Sequence, residues 1–360
     1  MASTPPLPVW LDCDPGHDDA LAIMLAAYTP SIKLLGLSTV HGNQTLAKTT
    51  LNARRVLAMA GVTGLRVAPG AAKPLLRPPR ACPEIHGDSG LDGPDLSSFD
   101  SEGDASPHQP AVVQMHAALR EAGERATLVC TGALTNAALL LSVYPELAAT
   151  VRVVFMGGAV RGGNTGAVAE FNIQLDPEAA AIVLNSGASV TMVPLDVTHT
   201  ALVTPDVLRR IRAGPGGYDA SRFRRIVAEL LIYFAASYRA VFAFESPPLH
   251  DPVRGRRTAL PPTVTPAYAP PLPQCAVLCA LAPQLFELRH MRVDVEVVSP
   301  LSYGQTVCDV HDQSKQPPNC HVALRMDVPA FWEHMHAALD AADARSPMNA
   351  ALDERGSTNA

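Results

Sequence analysis

Asp12-Cys13-Asp14-Pro15-Gly16-His17-Asp18-Asp19 places four aspartates within eight residues, directly after the apolar run Val9-Trp10-Leu11. A buried strand running into a turn and a helix start would gather these carboxylates, and like charges so close repel strongly unless a cation neutralises them. Asp14 and Asp19 lie five residues apart across the turn, so both side chains can aim into one pocket. Asp251, in His250-Asp251-Pro252, can close that pocket from the far end of the chain. A set of oxygen ligands selects Ca2+ or Mg2+ over zinc. One aspartate here would need no explanation beyond capping a helix; four exceed that role.

The elements that must position these groups follow from the hydrophobic pattern. Short apolar or β-branched runs at 9–11, 33–40, 65–68, 126–130, 151–156 and 189–194 alternate with helical stretches at 18–28, 44–60, 109–121, 135–147 and 177–186. This alternation predicts an α/β fold, an open, mostly parallel sheet with helices on both faces. In such a sheet, functional groups collect in the crevice at the carboxyl ends of the strands. Residues 12–19, His41-Gly42-Asn43, Thr131-Gly132 and Gly157-Gly158 all follow strand candidates. Further on, helices are expected at 205–213, 221–240 and 329–342, and short strands at 293–299, 306–310 and 321–327. Residues 1–345 read as a single domain, and the apolar-poor residues 346–360 as a disordered tail.

The 360 residues are 48% hydrophobic, enough to bury a substantial core. A formal charge of −6 and the lack of any Lys/Arg run exclude a nucleic-acid backbone as partner, which points to a small-molecule ligand. No signal-peptide pattern and no membrane-length apolar stretch is present, so a soluble cytoplasmic protein is expected. The seven cysteines are scattered among Ala, Val and Leu and read as reduced core thiols.

Residues 253–274 break the pattern. They are Pro-rich, basic and aperiodic, and they interrupt a helix that would otherwise open at His250-Asp251-Pro252 and continue into Cys275. Valine codons begin GT and a glutamine codon can be CAG, so the segment has the ends of an in-frame retained intron. It is either a mis-spliced insertion or a disordered surface loop. Sequencing mature transcripts across it decides: spliced forms lacking the segment select the intron reading, and uninterrupted coding sequence in every transcript removes it.

Asp12 to Ala20 resembles the N-terminal signature of the inosine-uridine-preferring nucleoside hydrolases. The similarity continues in the family's order through Thr39-Val40-His41-Gly42-Asn43, Ile85-His86-Gly87-Asp88-Ser89-Gly90, Thr131-Gly132-Ala133-Leu134-Thr135-Asn136, Met156-Gly157-Gly158, Gly163-Asn164, Ala169-Glu170-Phe171-Asn172 and His250-Asp251-Pro252. The resemblance implies an eight-stranded core sheet and a Ca2+ held by Asp14, Asp19, Asp251 and the carbonyl of Thr131. It implies that Asp14 also takes a proton from the attacking water, and that Asp18, Asn164, Glu170 and Asn172 bind the ribose, with Asn43 and Met156 on the sugar side. Asp12 would lie behind these, as a partner of the ligands. It further suggests His86 near the ribose 5′-hydroxyl, Phe171 against the nucleoside, Tyr238 beside the base, and a homodimer or homotetramer. His17 occupies a variable position and is assigned no role.

Cleaving an N-glycosidic bond builds positive charge on the sugar ring, which carboxylates and amide oxygens stabilise. The departing base leaves better protonated, and His250 beside Asp251 is the natural donor. The expected activity is therefore calcium-dependent hydrolysis of ribonucleosides such as uridine or inosine to ribose and free base. Two rivals stand beside it. One is a Mg2+-dependent phosphohydrolase with Asp12 as nucleophile beside Asp14. The other is a catalytically impaired ribonucleoside-binding isoform, because the insertion begins two residues after Asp251 and a ligand displaced by ~1 Å costs on the order of 10²-fold in rate.

Overall fold

The computed structural model describes residues 5–100, 109–215, 221–242 and 273–349. Ten strands are present among them: β1 (Leu7–Cys13), β2 (Ile32–Thr39), β3 (Val67–Pro69), β4 (Thr127–Cys130), β5 (Arg152–Met156), β6 (Ser189–Val193), β7 (Phe286–Met291), β8 (Val293–Val295), β9 (Thr306–Cys308) and β10 (Cys320–Met326). Eight form one sheet in the order β3-β2-β1-β4-β5-β6-β10-β7. Every neighbouring pair is parallel except β10 with β7. The expected open, mostly parallel eight-stranded sheet is the one observed.

Period-two alternation in β1 serves both faces at once. Val9, Leu11 and Cys13 enter one core with the helices His17–Tyr28, Gln274–Leu281 and Val328–Arg345. Trp10 enters the other, with the helices Ala111–Ala122, Thr135–Val143 and Pro177–Leu184. Trp10 reaches over Gly36 of β2, where a Cβ would lie 2.6 Å from the indole ring. Strand order turns at β1: the chain runs outward through β2 and β3, then returns to place β4 on the other side. The carboxyl ends of β1 and β4 therefore flank a topological switch point, the natural ligand crevice of an open α/β sheet.

Some elements differ from the sequence expectation for identifiable reasons. The helix expected over 135–147 stops at Val143, and a 3-10 turn Pro145–Ala149 follows, because proline disfavours helix at the residue before it. Strand β7 is absent from the expectation: Glu287, Arg289 and His290 on an exposed edge mask its alternation. The short strands β8 and β9 pair only with each other, outside the main sheet. Gln274, expected as the last inserted residue, is buried as the first residue of the helix Gln274–Leu281. Of the tail expected at 346–360, residues 346–349 pack on the domain, where Met348 is buried and Ser346 Oγ donates to the Met59 carbonyl at 2.6 Å, and 350–360 lie outside the described residues. All seven cysteines are free thiols, as expected. Among the described residues no helix is long and apolar enough to cross a membrane.

The 21-residue helix Arg222–Phe242 carries aromatic side chains to the crevice and is anchored at its start by Arg224. This guanidinium is 1% exposed, donates from Nε to Asp343 Oδ2 at 2.5 Å and from Nη1 to the Ile211 carbonyl at 2.9 Å, and also pairs with Asp340. Removing one partner of a buried ion pair strands the other charges. Arg224→Ala is therefore expected to lose about 3–5 kcal/mol of stability, read as a lower denaturant midpoint in equilibrium unfolding.

Candidate active site

The site is built where β1 ends. Asp12, its penultimate residue, faces sideways into the sheet: Oδ1 accepts from Ser38 Oγ at 2.5 Å and from Asn136 Nδ2 at 2.8 Å. The turn Pro15-Gly16 then starts the helix His17–Tyr28, whose first turn holds Asp18 and Asp19, where negative charge is favoured by the helix dipole. Asp19 does cap this helix, accepting from the Gly16 N–H at 3.4 Å, but it also accepts from Thr131 Oγ at 2.6 Å and Asn43 Nδ2 at 3.2 Å. Asp14 Oδ2 accepts from the Asn43 N–H at 2.8 Å. Two glycines leave room for this carboxylate: a Cβ on Gly42 would sit 2.0 Å from Oδ2, and one on Gly132 2.5 Å from Oδ1. Asn43, at the end of β2, thus links Asp14 to Asp19, and Thr131, after β4, links Asp19 to the far side of the switch point.

Burial without a counter-charge raises every one of these carboxyl groups. Asp12 is pushed up to about 7 and Asp19 to about 6, both mainly by desolvation. Asp14 and Asp18 rise well above the usual carboxylate range, first by desolvation and then by the charge of Asp19. Asp14 Oδ1 and Asp18 Oδ1 are buried and make no hydrogen bond to described residues. Orphaned carboxylate oxygens among like charges fit a hard divalent cation. Asp14, Asp19 and the carbonyl of Thr131 are the groups that would hold it. Among the described residues no three His, Cys, Asp or Glu side chains are grouped to bind a metal. Asp251, the third carboxylate expected, and His250, the expected proton donor, lie outside the described residues.

Above these groups opens a cavity of about 250 Å³, lined by Asp18, Asp19, Asn43 and Thr131 at one end. Met156, Asn164, Glu170, Phe171 and Asn172 line another side, so the residues expected around the sugar converge on one space. The short helix Phe171–Leu175 organises this wall. Glu170 caps it, accepting from the Asn172 and Ile173 N–H groups and, across the loop, from the Gly158 N–H at 3.0 Å. Even so, burial pushes Glu170 up to about 7. Asn172 donates from Nδ2 to the Thr131 carbonyl at 2.9 Å, joining this wall to the candidate cation cradle. Asn164 Oδ1 accepts from the Phe171 N–H at 2.9 Å. Asp12 is absent from the lining and fully buried.

His86, Phe234 and Tyr238 line the side where the helix Arg222–Phe242 crosses. Phe234 was not singled out from the sequence, although it lies one helical turn before Tyr238 and so on the same face. His17 was assigned no role, yet its ring is wholly buried behind His86, with 3.2 Å between their Nδ1 atoms. Arg80 and Cys82 also reach the cavity from a loop whose sequence carries no periodic signal.

Comparison with known proteins agrees with this architecture. The family model described as inosine-uridine preferring nucleoside hydrolase matches residues 9–333. A probable ribonucleoside hydrolase of Dictyostelium discoideum is 38% identical over 343 residues, covering 93% of this chain and 94% of the relative. A pyrimidine-specific ribonucleoside hydrolase of Shewanella sp. (strain MR-7) is 40% identical over 330 residues, covering 90% of this chain and 93% of the relative. Among solved structures, a purine-preferring ribonucleoside hydrolase from Gardnerella vaginalis superposes with a TM-score of 0.77 at 26% identity, covering 94% of this chain and 99% of that one. With its switch-point carboxylates and nearly full-length match, the chain belongs to the inosine-uridine preferring nucleoside hydrolase family.

Proposed function

We propose that this protein is a calcium-dependent hydrolase of pyrimidine ribonucleosides, with uridine as the first substrate to test. Hydrolysis of the ribonucleoside N-glycosidic bond is the activity of the family; the metal, the residue roles and the base are the further steps of this reading. The observation that carries it is the junction of two sets of groups in one cavity. Asp18 and Asp19 line the cavity above the buried Asp14, Asp14 Oδ1 and Asp18 Oδ1 lack hydrogen-bond partners among the described residues, and a wall of Asn164, Glu170 and Asn172 meets them through the contact of Asn172 with Thr131. The pyrimidine preference is supported by the activity for which the Shewanella relative is named.

Bound calcium would orient the ribose diol and make the attacking water more acidic. Asp14 Oδ1, which no described residue donates to, takes the proton of that water as it attacks the anomeric carbon. Asp18 and Asn172 orient the sugar, and Glu170, held by three backbone N–H groups, offers negative potential to the developing ring cation. Because its hydrogen bonds are satisfied by the scaffold, Glu170 is preorganised and does not need to rearrange in the transition state. His250 protonates the leaving base. The water adds to the sugar, the C–N bond breaks, and ribose and free base result.

Incubation with uridine and calcium is expected to yield ribose and uracil. Chelation should abolish this turnover, and Asp14→Asn should slow it by roughly 10²–10⁴-fold. Deoxyuridine, lacking one oxygen of the diol, should be a much poorer substrate. Nucleoside binding without product would replace the enzyme reading by a binding one.

The raised carboxylates also set the sign of a pH effect. Asp19 at about 6 and Asp12 at about 7 hold protons more tightly folded than unfolded, where an aspartate titrates near about 3.9. The metal-free fold therefore loses stability from these groups as pH rises from about 4 to about 7. A cation binding only the folded, ionised cluster opposes that loss. Melting curves with calcium and with chelator should diverge progressively over this window; a pH-independent gap counts against the cluster as the metal site.

A further inference from the structure

A second cavity, of about 290 Å³, lies away from the ligand crevice. Ser189 and Val190, the first residues of β6, line it together with His290, Arg292, Asn319 and His321. It therefore opens at the amino ends of the parallel strands, whereas Asp14 and Thr131 follow the carboxyl ends of β1 and β4. Nothing in the catalytic scheme above uses it.

Strand register sets two imidazoles side by side here. His290 of β7 and His321 of β10 are directly opposed across the antiparallel pair, and side chains so placed have Cβ atoms about 4.5–5.5 Å apart. Met291 and Cys320, the adjoining pair, are buried in the core; successive residues alternate, so both imidazoles share the opposite face. Their rings stack with centroids 4.3 Å apart and planes 10° from parallel. Burial, and then the neighbouring His290, lower His321 below the ordinary histidine value, so it stands as neutral imidazole with a lone pair to give. His290 is exposed on the edge strand and makes no hydrogen bond to described residues.

Other polar groups around this cavity are already committed. Arg292 Nε donates to both carboxylate oxygens of Asp294 at 3.0 Å, and its Nη2 donates to Asn185 Oδ1 at 3.1 Å, so its charge is offset. Asn319 spends its amide on the Leu184 carbonyl and on the N–H and carbonyl of Val293. Two imidazole nitrogens remain as donors. Imidazole suits zinc, copper and nickel, whereas calcium takes oxygen. Zinc holds imidazole nitrogen at about 2.0–2.1 Å, which puts two neighbouring ligand nitrogens roughly 3 Å apart. A tilt of the exposed His290 ring toward His321 closes the stack to that separation.

We propose that His290 and His321 form a transition-metal site, each giving one ring nitrogen to Zn2+ or Cu2+, with water in the cavity filling the remaining positions. The metal would clip the edge strand β7 to β10. Its nitrogen ligands set it apart from the oxygen-lined cradle at Asp14 and Asp19, and the proposal stands independently of the hydrolase reading.

The full chain, kept in excess Ca2+, is titrated with Cu2+ and followed by electron paramagnetic resonance. The expected spectrum shows copper coupled to two imidazole nitrogens. Zn2+ should displace that copper and slow amide hydrogen exchange across 286–291, as a ligand of the folded strand pair does. His290→Gln, an exposed substitution that leaves the fold intact, should weaken Cu2+ binding by at least about tenfold and leave coupling to one imidazole. His321→Gln should do the same. No copper binding, or copper without coupling to two imidazoles, in the unaltered protein overturns the proposal, and so does undiminished affinity in folded His290→Gln. Both results hold whether or not His321→Gln folds.

Discussion

Four buried aspartates that repel one another govern this molecule. Desolvation raises each of them, the charge of Asp19 adds to the rise of the other three, and hydrogen bonds from Ser38, Asn43, Thr131 and Asn136 relieve only part of the strain. A fold that tolerates such a cluster has a use for it, because buried unpaired charge is among the most costly things a protein can keep. The rest of the structure reads as the means of holding that cluster open at the mouth of the sheet. Glycines at 42 and 132 let backbone approach where side chains would collide with Asp14. Asparagine amides bridge neighbouring strand ends where a longer or charged group would add a further uncompensated charge.

Those bridges also tie the elements of the site to one another. Asn43 ties the loop after β2 to the turn after β1; Asn136 ties the start of a helix to Asp12 and to the Thr39 carbonyl; Asn172 ties the cavity wall to Thr131. Each acts between elements that the parallel sheet has already placed side by side. Asp176 does the same at the periphery, accepting from Thr135 Oγ and the Leu75 N–H while capping the helix Pro177–Leu184. Side-chain hydrogen bonds of this kind orient the reacting groups before a ligand arrives, which is the basis of electrostatic preorganisation.

Legibility in the sequence followed the range of the forces involved. The strands β1 to β6 and the longer helices between them are readable because each buries a face whose period, 2 or 3.6, is written in neighbouring residues; the short helices Pro83–His86 and Phe171–Leu175 are too brief to show one. The edge strand β7 was not, since an edge exposed to solvent needs no alternation. The hairpin of β8 and β9 was readable as strands but not as a separate sheet, because partner choice is not a local property. In the site, Asp14, Asp18 and Asp19 stand within one turn of each other and announce themselves. Phe234 was overlooked although its spacing to Tyr238 was available, because an aromatic on a helix ordinarily belongs to the core. Cys275 and Cys279 were read as small core residues, and they are buried thiols.

By itself the sequence determined that acidic groups stand at the end of a buried strand, that the chain alternates strand and helix, and which family the motifs resemble. These properties depend on residue type and short spacing. Only the tertiary structure decided which nitrogen of His17 carries its hydrogen. That outcome depends on a carbonyl 75 residues away, which local propensity cannot sense. Sheet topology brings the loop holding His86 and Asp92 against the helix that His17 begins, and the same fold seals both rings from water. A hydrogen bond inside such an enclosure has no solvent competitor, so the geometry of distant groups, rather than the identity of adjacent ones, sets its direction.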